Sequence, residues 1–289
     1  MAAPTYDAAN VNSGTTDAGG AWTKTFTAVT NDVGKFIIFH LLQDGATAGA
    51  VAVTSVAGIE NLAGTDNAVT AVAVDQPVGS ATAALQSLYC GRVIAGATPA
   101  ISGTNSTSED LYIRGYAFDD VNAGTTLADV IENGTAGVAV NGAGTSDTIA
   151  DTAVETLGVD RLVCNFVGIN DDNAVDAFTG MTGGTWAEAE SEYAEASGTD
   201  GCIQLQTATL ATAGTINGGA YTMAASDAWG VVGFALIGTT PDVVEYVPRN
   251  PAINHQNPAL LARLHDRYRR TRAGLWLPER PGLVVPRAA

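Results

Sequence analysis

The clearest strand signal in the sequence runs from Ala220 to Ile237 and reads AYTMAASDAWGVVGFALI. Its pattern predicts two strands joined by a tight polar connection at Ala225-Ser226-Asp227. The second strand is short, apolar on both faces and bounded by Ser/Asp and Gly, which is typical of a buried central strand rather than a helix. We therefore expect Trp229 and Phe234 in the core, and this stretch as the last core strand of a β body.

Similar segments precede this stretch along most of the chain. They are rich in β-branched or aromatic residues, and the breaks between them carry Gly, Asn or Asp. Such frequent turn signals favour an all-β fold, and we expect an antiparallel, jelly-roll-like β-sandwich. The expected strands are Trp22–Val29, Lys35–Leu42, Ala50–Val56, Val69–Asp75, Leu85–Ile94, Asp110–Phe118, Ile149–Thr156, Arg161–Ile169, Thr185–Ala194 and Cys202–Ala211.

Three segments leave alternatives open. Thr126–Ile131 predicts one or two helical turns, and Gly134–Gly144 predicts a loop or a short hairpin. The segment Trp186–Glu195 has the composition of a helix, but its glutamates alternate with small residues at a period of two. Because its neighbours are all β, we expect a strand there, with a solvated acidic face that discourages edge-to-edge pairing.

One internal similarity stands out. Gly34–Asp44 and Val159–Asp171 each consist of a polar residue, a strand that is apolar on both faces and an acidic turn. A two-fold symmetric sandwich would produce this similarity without a duplicated sequence, and that is the interpretation we favour at this point.

The net charge of the chain changes sign near residue 240. Residues 1–240 hold 26 Asp/Glu and 5 Lys/Arg, a net charge of −21, whereas residues 241–289 hold 8 Arg and 4 Asp/Glu, a net charge of +4. We predict an N-terminal arm at 1–21, a sandwich body at 22–240 and a basic docking tail at 241–289. An acidic body repels nucleic acid. No apolar run approaches the ~18–20 residues that span a bilayer, so no membrane partner is expected.

The tail predicts a short helix and an extended arm that need a partner. Asn257-Pro258 is a good helix start, strong helix formers follow, and Gly274 ends the helix, which places it at about 258–273. Docking on an acidic protein surface, such as the body of a neighbouring copy, is favoured over phosphate binding or a merely solvated helix. The expected docking residues are Leu260, Leu261, Leu264 and Tyr268 on one face, Arg263, Arg267 and Arg270 on another, and Trp276 in the arm.

The sequence carries no recognisable catalytic or cofactor-binding pattern. There is no GxSxG elbow, and His40 lies in an expected core strand. Cys164 is expected to act as a buried small hydrophobe. The odd count of three isolated cysteines argues against a disulfide framework but leaves one pair open. A calcium site at Asp171 and Asp172 is a weak candidate against a solvated turn. No cofactor and no enzymatic activity are expected.

Three segments carry a resemblance to a known group of proteins. They are Gly183–Trp186 (GGTW), Asp200–Ala208 (DGCIQLQTA) and Trp229–Ile237 (WGVVGFALI). In this order they resemble the jelly-roll β-sandwich virion proteins of tailed bacteriophages and archaeal tailed viruses. The resemblance covers roughly residues 22–238, omits the tail and implies no site residues. It implies a non-enzymatic structural or adhesive protein on the tail or head of a particle.

The expected function is therefore that of a virion structural protein, of the minor tail or head-decoration type. Its expected partners are copies of itself, in a symmetric homo-oligomer such as a trimer, and other virion proteins such as capsid or tail proteins. The alternative is a receptor module that binds a host-surface glycan. A polysaccharide-degrading enzyme is a third possibility, supported only by scattered carboxylates.

Overall fold

A computed structural model describes residues 2–7, 13–16, 20–30, 32–43, 51–79, 84–94, 98–105, 111–150, 152–170, 178–193, 201–239, 268–270 and 276–278. The chain divides into two compact units, Met1–Thr239 and Thr240–Ala289. We call the first unit the body and the second the tail. Strands dominate the body and pair antiparallel in several sheets. The all-β prediction is thus confirmed.

The bounds of the elements are as follows. The strands are β1 (Thr5–Tyr6), β2 (Ser13–Thr16), β3 (Gly20–Thr25), β4 (Phe36–Gln43), β5 (Val51–Ala57), β6 (Ile59–Glu60), β7 (Thr70–Val78), β8 (Ala84–Val93), β9 (Ala100–Asn105), β10 (Leu111–Asp119), β11 (Ala139–Ala150), β12 (Ala153–Thr156), β13 (Arg161–Asn170), β14 (Thr185–Tyr193), β15 (Gly201–Thr209), β16 (Gly214–Asn217), β17 (Ala220–Ile237), β18 (Tyr268–Arg270) and β19 (Trp276–Pro278). The helical elements are α1 (Leu127–Val130) and two 3-10 turns, Thr27–Val29 and Gly134–Gly137.

Two large sheets form the sandwich. In the first sheet, β4 lies between β10 and β8; β1 and β2 pair with the far edge of β10, and β6 and β7 pair with the far edge of β8. In the second sheet the order is β11-β17-β13-β15-β14. The sheets face each other through an apolar core in which the Phe166 ring lies 5.5 Å from Tyr116, 5.4 Å from Phe234 and 5.7 Å from His40, centroid to centroid.

Smaller sheets cover the outer faces of both large ones. The sheet β3-β9-β5 covers the first large sheet, where Phe26 packs on Phe39 with ring centroids 5.0 Å apart. The pair β12-β16 covers part of the second, where Val154 and Ile216 pack on Val163. The central strands are therefore buried on both faces, which explains why β4, β13 and β17 are apolar on both faces.

The opening stretch forms one strand rather than two. Chain direction is kept through the polar segment, and β17 runs unbroken from Ala220 to Ile237. The pairing register with β11 slips instead: Ser146 pairs with Asp227, but Thr148 pairs with Thr222. The extra β17 residues form a large bulge, because β11 advances by only two residues over the interval in which β17 advances by five. The predicted turn at Ala225-Ser226-Asp227 is wrong; Trp229 and Phe234 are buried as predicted.

Other expectations had mixed outcomes. Gly134–Gly144, predicted as a loop or hairpin, forms a 3-10 turn and the beginning of β11. The ambiguous glutamate segment is strand β14, as predicted. In the tail the predicted helix at about 258–273 falls mostly outside the described residues. Its three described residues, Tyr268–Arg270, form β18 and pair with β19, so the helix prediction is wrong there.

The two halves of the body repeat one topology. The order β2-β10-β4-β8-β7 in the first sheet matches the order β11-β17-β13-β15-β14 in the second, and the outer pair β3-β9 matches β12-β16. The registers also match: Phe39 lies between Gly115 and Tyr89, and Asn165 at the equivalent position lies between Gly233 and Gln206. The similarity of Gly34–Asp44 to Val159–Asp171 thus belongs to a repeat of seven strands.

Irregular features repeat as well. The edge strand β7 carries two register shifts against β8, between Ala71 and Ala73 and between Ala73 and Gln76. The equivalent edge strand β14 carries two shifts against β15, between Glu188 and Glu190 and between Glu190 and Tyr193. All of these β14 positions lie 117 residues after their β7 counterparts. Two-fold packing of sheets does not require matching bulges. We therefore replace the interpretation favoured from the sequence, a symmetric sandwich without duplication, by a duplicated arrangement of strands.

Candidate functional site

The cations of the body are placed inside it or against its carboxylates. They are Lys24, Lys35, Arg92, Arg114 and Arg161. Arg92 and Arg114 are buried, Lys35 and Arg161 each pair with two carboxylates, and Lys24 is half-buried. The outer surface is therefore dominated by carboxylates, which makes the body a strongly acidic surface for any partner.

Arg161 is the best-enclosed of these ion pairs. Its Nε lies 2.5 Å from Glu132 Oε2, and its Nη1 lies 2.8 Å from Asp160 Oδ1. The same Glu132 oxygen accepts a hydrogen bond from the Leu157 backbone N–H at 3.2 Å. Burial works to lower the pKa of Arg161, but the hydrogen bonds and charges of Glu132 and Asp160 raise it above its usual value. The site is a structural clamp that anchors the turn at 157–161.

Lys35 occupies the equivalent position in the first half. Its Nζ lies 2.8 Å from Asp7 Oδ2 and 2.7 Å from Asp119 Oδ1. The backbone N–H of Asp7 donates to the carbonyl of Ala117, and Glu132 makes the same bond to Ala235, which is the equivalent residue. Each half therefore uses one cation at the start of its central strand to hold the segment that leads into the half.

The two clamped turns lie at the same end of the body. The Gly238 backbone N–H donates to the Asp160 carbonyl at 3.0 Å, and the Thr239 N–H donates to the Asp120 carbonyl at 2.7 Å. The chain thus leaves the body between the turns at 32–35 and 157–161. We call these two turns, together with residues 119–121, the end face.

A cavity of about 410 Å³ opens on the end face. Lys35, already paired with two carboxylates, lies at its wall. The exposed lining of the cavity is mostly polar, and carboxylates of Asp32, Asp119 and Asp120 contribute to it. Its lining includes Asp32, Val33, Phe36, Phe118, Asp119 and Asp120.

His40 lies in the core rather than at a surface site. It is buried between the large sheets, and its Nε2 lies 3.0 Å from Gln86 Oε1. Burial is the main reason that its pKa falls to about 4, and the nearby charge of Arg114 acts in the same direction. The imidazole is therefore neutral at physiological pH and out of reach of a substrate.

We expect acid to destabilise the body through His40. The unfolded residue takes up a proton near pH 6.5 but the folded residue only near pH 4, so protons favour the unfolded state in this interval. The contribution of neutral His40 to the free energy of unfolding is complete above pH 6.5. It falls by about 3 kcal/mol in all as the pH drops towards 4. Urea unfolding of the wild type and His40→Gln at several pH values would measure this. Equal slopes of stability against pH in the two proteins would contradict the expectation.

The cysteines are buried and form no disulfide with one another. Cys90, Cys164 and Cys202 are all inaccessible thiols. Burial raises the pKa of Cys90 to about 12 and also raises the pKa of Cys164. None of these thiols has the accessible, thiolate character of a nucleophile. The prediction that Cys164 acts as a buried hydrophobe is confirmed.

A polar patch occupies part of the second large sheet. Thr152 Oγ1 lies 3.2 Å from Asn165 Oδ1, and Gln206 Nε2 donates to Gln204 Oε1 at 3.2 Å. The equivalent of Asn165 in the first half is Phe39, which packs against an aromatic ring. The amides are buried, so this patch is enclosed by the fold and not presented to a ligand.

The predicted tail residues are only partly described. Leu260, Leu261, Arg263, Leu264 and Arg267 lie outside the described residues. Tyr268 and Arg270 lie in β18 and Trp276 lies in β19, where Arg270 pairs with Trp276 through the backbone. Their docking role stays a prediction.

The weak calcium candidates, Asp171 and Asp172, also fall outside the described residues. Within the part of the chain that the structure describes, no group of three or more His, Cys, Asp or Glu side chains could hold a metal ion. No helix of that part is long and apolar enough to cross a membrane.

Sequence reasoning missed the end face. The similarity between the segments that begin at Gly34 and Val159 contained the signal, because both include a cation directly before an apolar strand. The partner carboxylates Asp7 and Glu132 could not be assigned, since each lies 28 or 29 residues before its cation.

Comparisons with protein-family models, curated proteins and solved structures give no match.

Proposed function

We propose that this chain is a structural protein of a tailed-virus-type particle, acting by protein–protein assembly rather than by catalysis. The observation that carries the proposal is the division of charge at the boundary between two units. The body ends at Thr239 with its cations folded in, and 8 of the 13 Lys/Arg residues of the chain follow in the tail. An acidic unit joined to a basic unit has the charge complementarity that steers association between copies.

The architecture of the body supports a structural role. Its central strands are covered on both faces, so the two large sheets and their outer sheets form a thick, layered block. Close-packed layers of this kind resist deformation and transmit load. The sequence resemblance of GGTW, DGCIQLQTA and WGVVGFALI to virion sandwich proteins agrees with such a block on a particle surface.

The proposed partners are further copies of the chain, in a closed homo-oligomer such as a trimer, and neighbouring capsid or tail proteins. The tail would supply the anchors. Aromatic and arginine side chains dominate the energetics of protein interfaces. The proposed docking residues are Leu260, Leu261, Arg263, Leu264, Arg267, Tyr268, Arg270 and Trp276.

Deletion of residues 241–289 tests this function. We expect the shortened chain to keep the β-sheet circular dichroism of the full chain but to be incorporated into particles at least about tenfold less, a loss of about 1.4 kcal/mol in binding. Quantitative mass spectrometry of purified particles would measure incorporation. A full-length variant with Arg263, Arg267 and Arg270 changed to alanine separates the charge of the tail from its length. Unchanged incorporation of the shortened chain would overturn the proposal.

A further inference from the structure

We propose that the end face is the docking surface for the arginine-rich tail of a second copy of this chain. The inference rests on the proposed function and deepens it, because it assigns the acceptor of the tail. Three observations support it: exposed apolar side chains, an excess of carboxylates over cations and the composition of the tail.

The first observation is the exposure of apolar side chains on the end face. The most exposed large hydrophobic side chains among the described residues are Leu157, at 72% exposure, Val33, at 63%, and Val159, at 52%. All three lie on the two turns of the end face, and Val33 and Val159 occupy equivalent positions in the two halves, two residues before Lys35 and Arg161. Apolar side chains that cluster on one surface rather than scatter singly indicate an interaction site.

The second observation is the excess of carboxylates beside these side chains. Asp32, Asp119 and Asp120 line the cavity of about 410 Å³. Lys35 is the cation at this wall, and it is already shared between Asp7 and Asp119. The end face is therefore net acidic and apolar at once, and its best occupant is a segment that is basic and apolar at once.

The tail has this composition. Residues 258–289 contain seven arginines together with leucines, a tyrosine and Trp276. Guanidinium groups suit the carboxylates that line the cavity, and an aromatic side chain such as Trp276 suits the exposed apolar side chains of the two turns.

We assign the tail to a second copy rather than to the same chain, because the proposed function is assembly between copies. An acidic end face and a basic tail on every copy have the charge complementarity that steers such association.

Cysteine cross-linking of two differently marked full-length chains tests the proposal. One chain carries Leu157→Cys on the end face, and the other carries Trp276→Cys in the tail. The native cysteines are buried, so they add little background. We expect mild oxidation of the mixture to give a covalent two-chain product that contains one of each chain. The yield should fall in 1 M salt, where the screening length shrinks to about 3 Å.

The matched control replaces Leu157→Cys by Val140→Cys, an exposed valine on β11 outside the end face. A mixed product no more abundant than in this control would overturn the proposal. A single chain that carries both Leu157→Cys and Trp276→Cys tests the other source of the tail. If it forms an internal disulfide while the mixture forms no product, the tail binds its own copy and the proposal is wrong.

The outcome is distinguishable from failure of the proposed function. If cross-linking fails but deletion of residues 241–289 still abolishes incorporation, the assembly role stands and the end face is not the acceptor. If deletion leaves incorporation unchanged, the assembly role fails whatever the cross-linking shows.

Discussion

Phe166→Ala is expected to lower the free energy of unfolding by about 3–5 kcal/mol, the range for removing a large aromatic side chain from a core. The ring lies at the centre of the contact between the large sheets and touches His40, Tyr116 and Phe234. All of these neighbours belong to well-paired central strands, which cannot collapse into the space left behind. The cavity term should therefore be large.

Urea or guanidinium unfolding followed by circular dichroism would measure this loss. Phe166→Leu is the matched control, because it keeps most of the apolar volume and should cost less than about 1.5 kcal/mol. A loss below about 1 kcal/mol for Phe166→Ala would mean that the two sheets do not meet at this ring, and the sandwich arrangement would have to be revised.

Glu132→Ala is expected to cost about 1.5–3 kcal/mol, the range for losing hydrogen bonds to a charged group, because Arg161 loses Glu132 but keeps Asp160 as a partner. The Glu132 side chain is 7% exposed and the Arg161 side chain 13% exposed, so water is a poor replacement for the lost carboxylate. The change also removes the acceptor of the Leu157 N–H. We therefore expect the turn at 157–161 to loosen, which hydrogen exchange at its amides would report.

The equivalent clamp in the first half provides the control. Asp7→Ala leaves Lys35 paired with Asp119, whose side chain is 48% exposed, so the loss should stay within about 1 kcal/mol. Denaturation of both variants under the same conditions would compare them. Equal losses for Glu132→Ala and Asp7→Ala would show that burial does not distinguish the two clamps.

The sequence predicted the strands most reliably where they are buried on both faces. Lys35–Leu42 and Arg161–Ile169 match β4 and β13 to within one residue, because a short run of large apolar residues has few other structures to form. The sequence did not predict β9, because Ala100–Asn105 is made largely of small residues. The turn predicted at Ala225-Ser226-Asp227 failed for another reason. Ser and Asp favour turns locally, but pairing with β11 on both sides of the segment keeps the chain extended through a bulge.

The candidate site shows the same limit. The sequence predicted a basic tail that needs a partner, since composition and charge are readable without structure. It could not predict where a partner would bind, because Val33 and Leu157 are ordinary loop residues until the fold places their turns together. The duplicated halves were visible only as a short similarity, because strand order and bulges are set by pairing between residues far apart in sequence.

By itself, the stretch Ala220–Ile237 determined that the body is β and that its last strand is buried, because a short run apolar on both faces is stable only between two covering layers. Local composition also determined where the charge changes sign. Only the tertiary structure decided that this stretch is a single strand, that it mirrors β10 of the first half and that it delivers the chain to the end face. These outcomes depend on register and on long-range contacts, whose free energy is not encoded in any one segment.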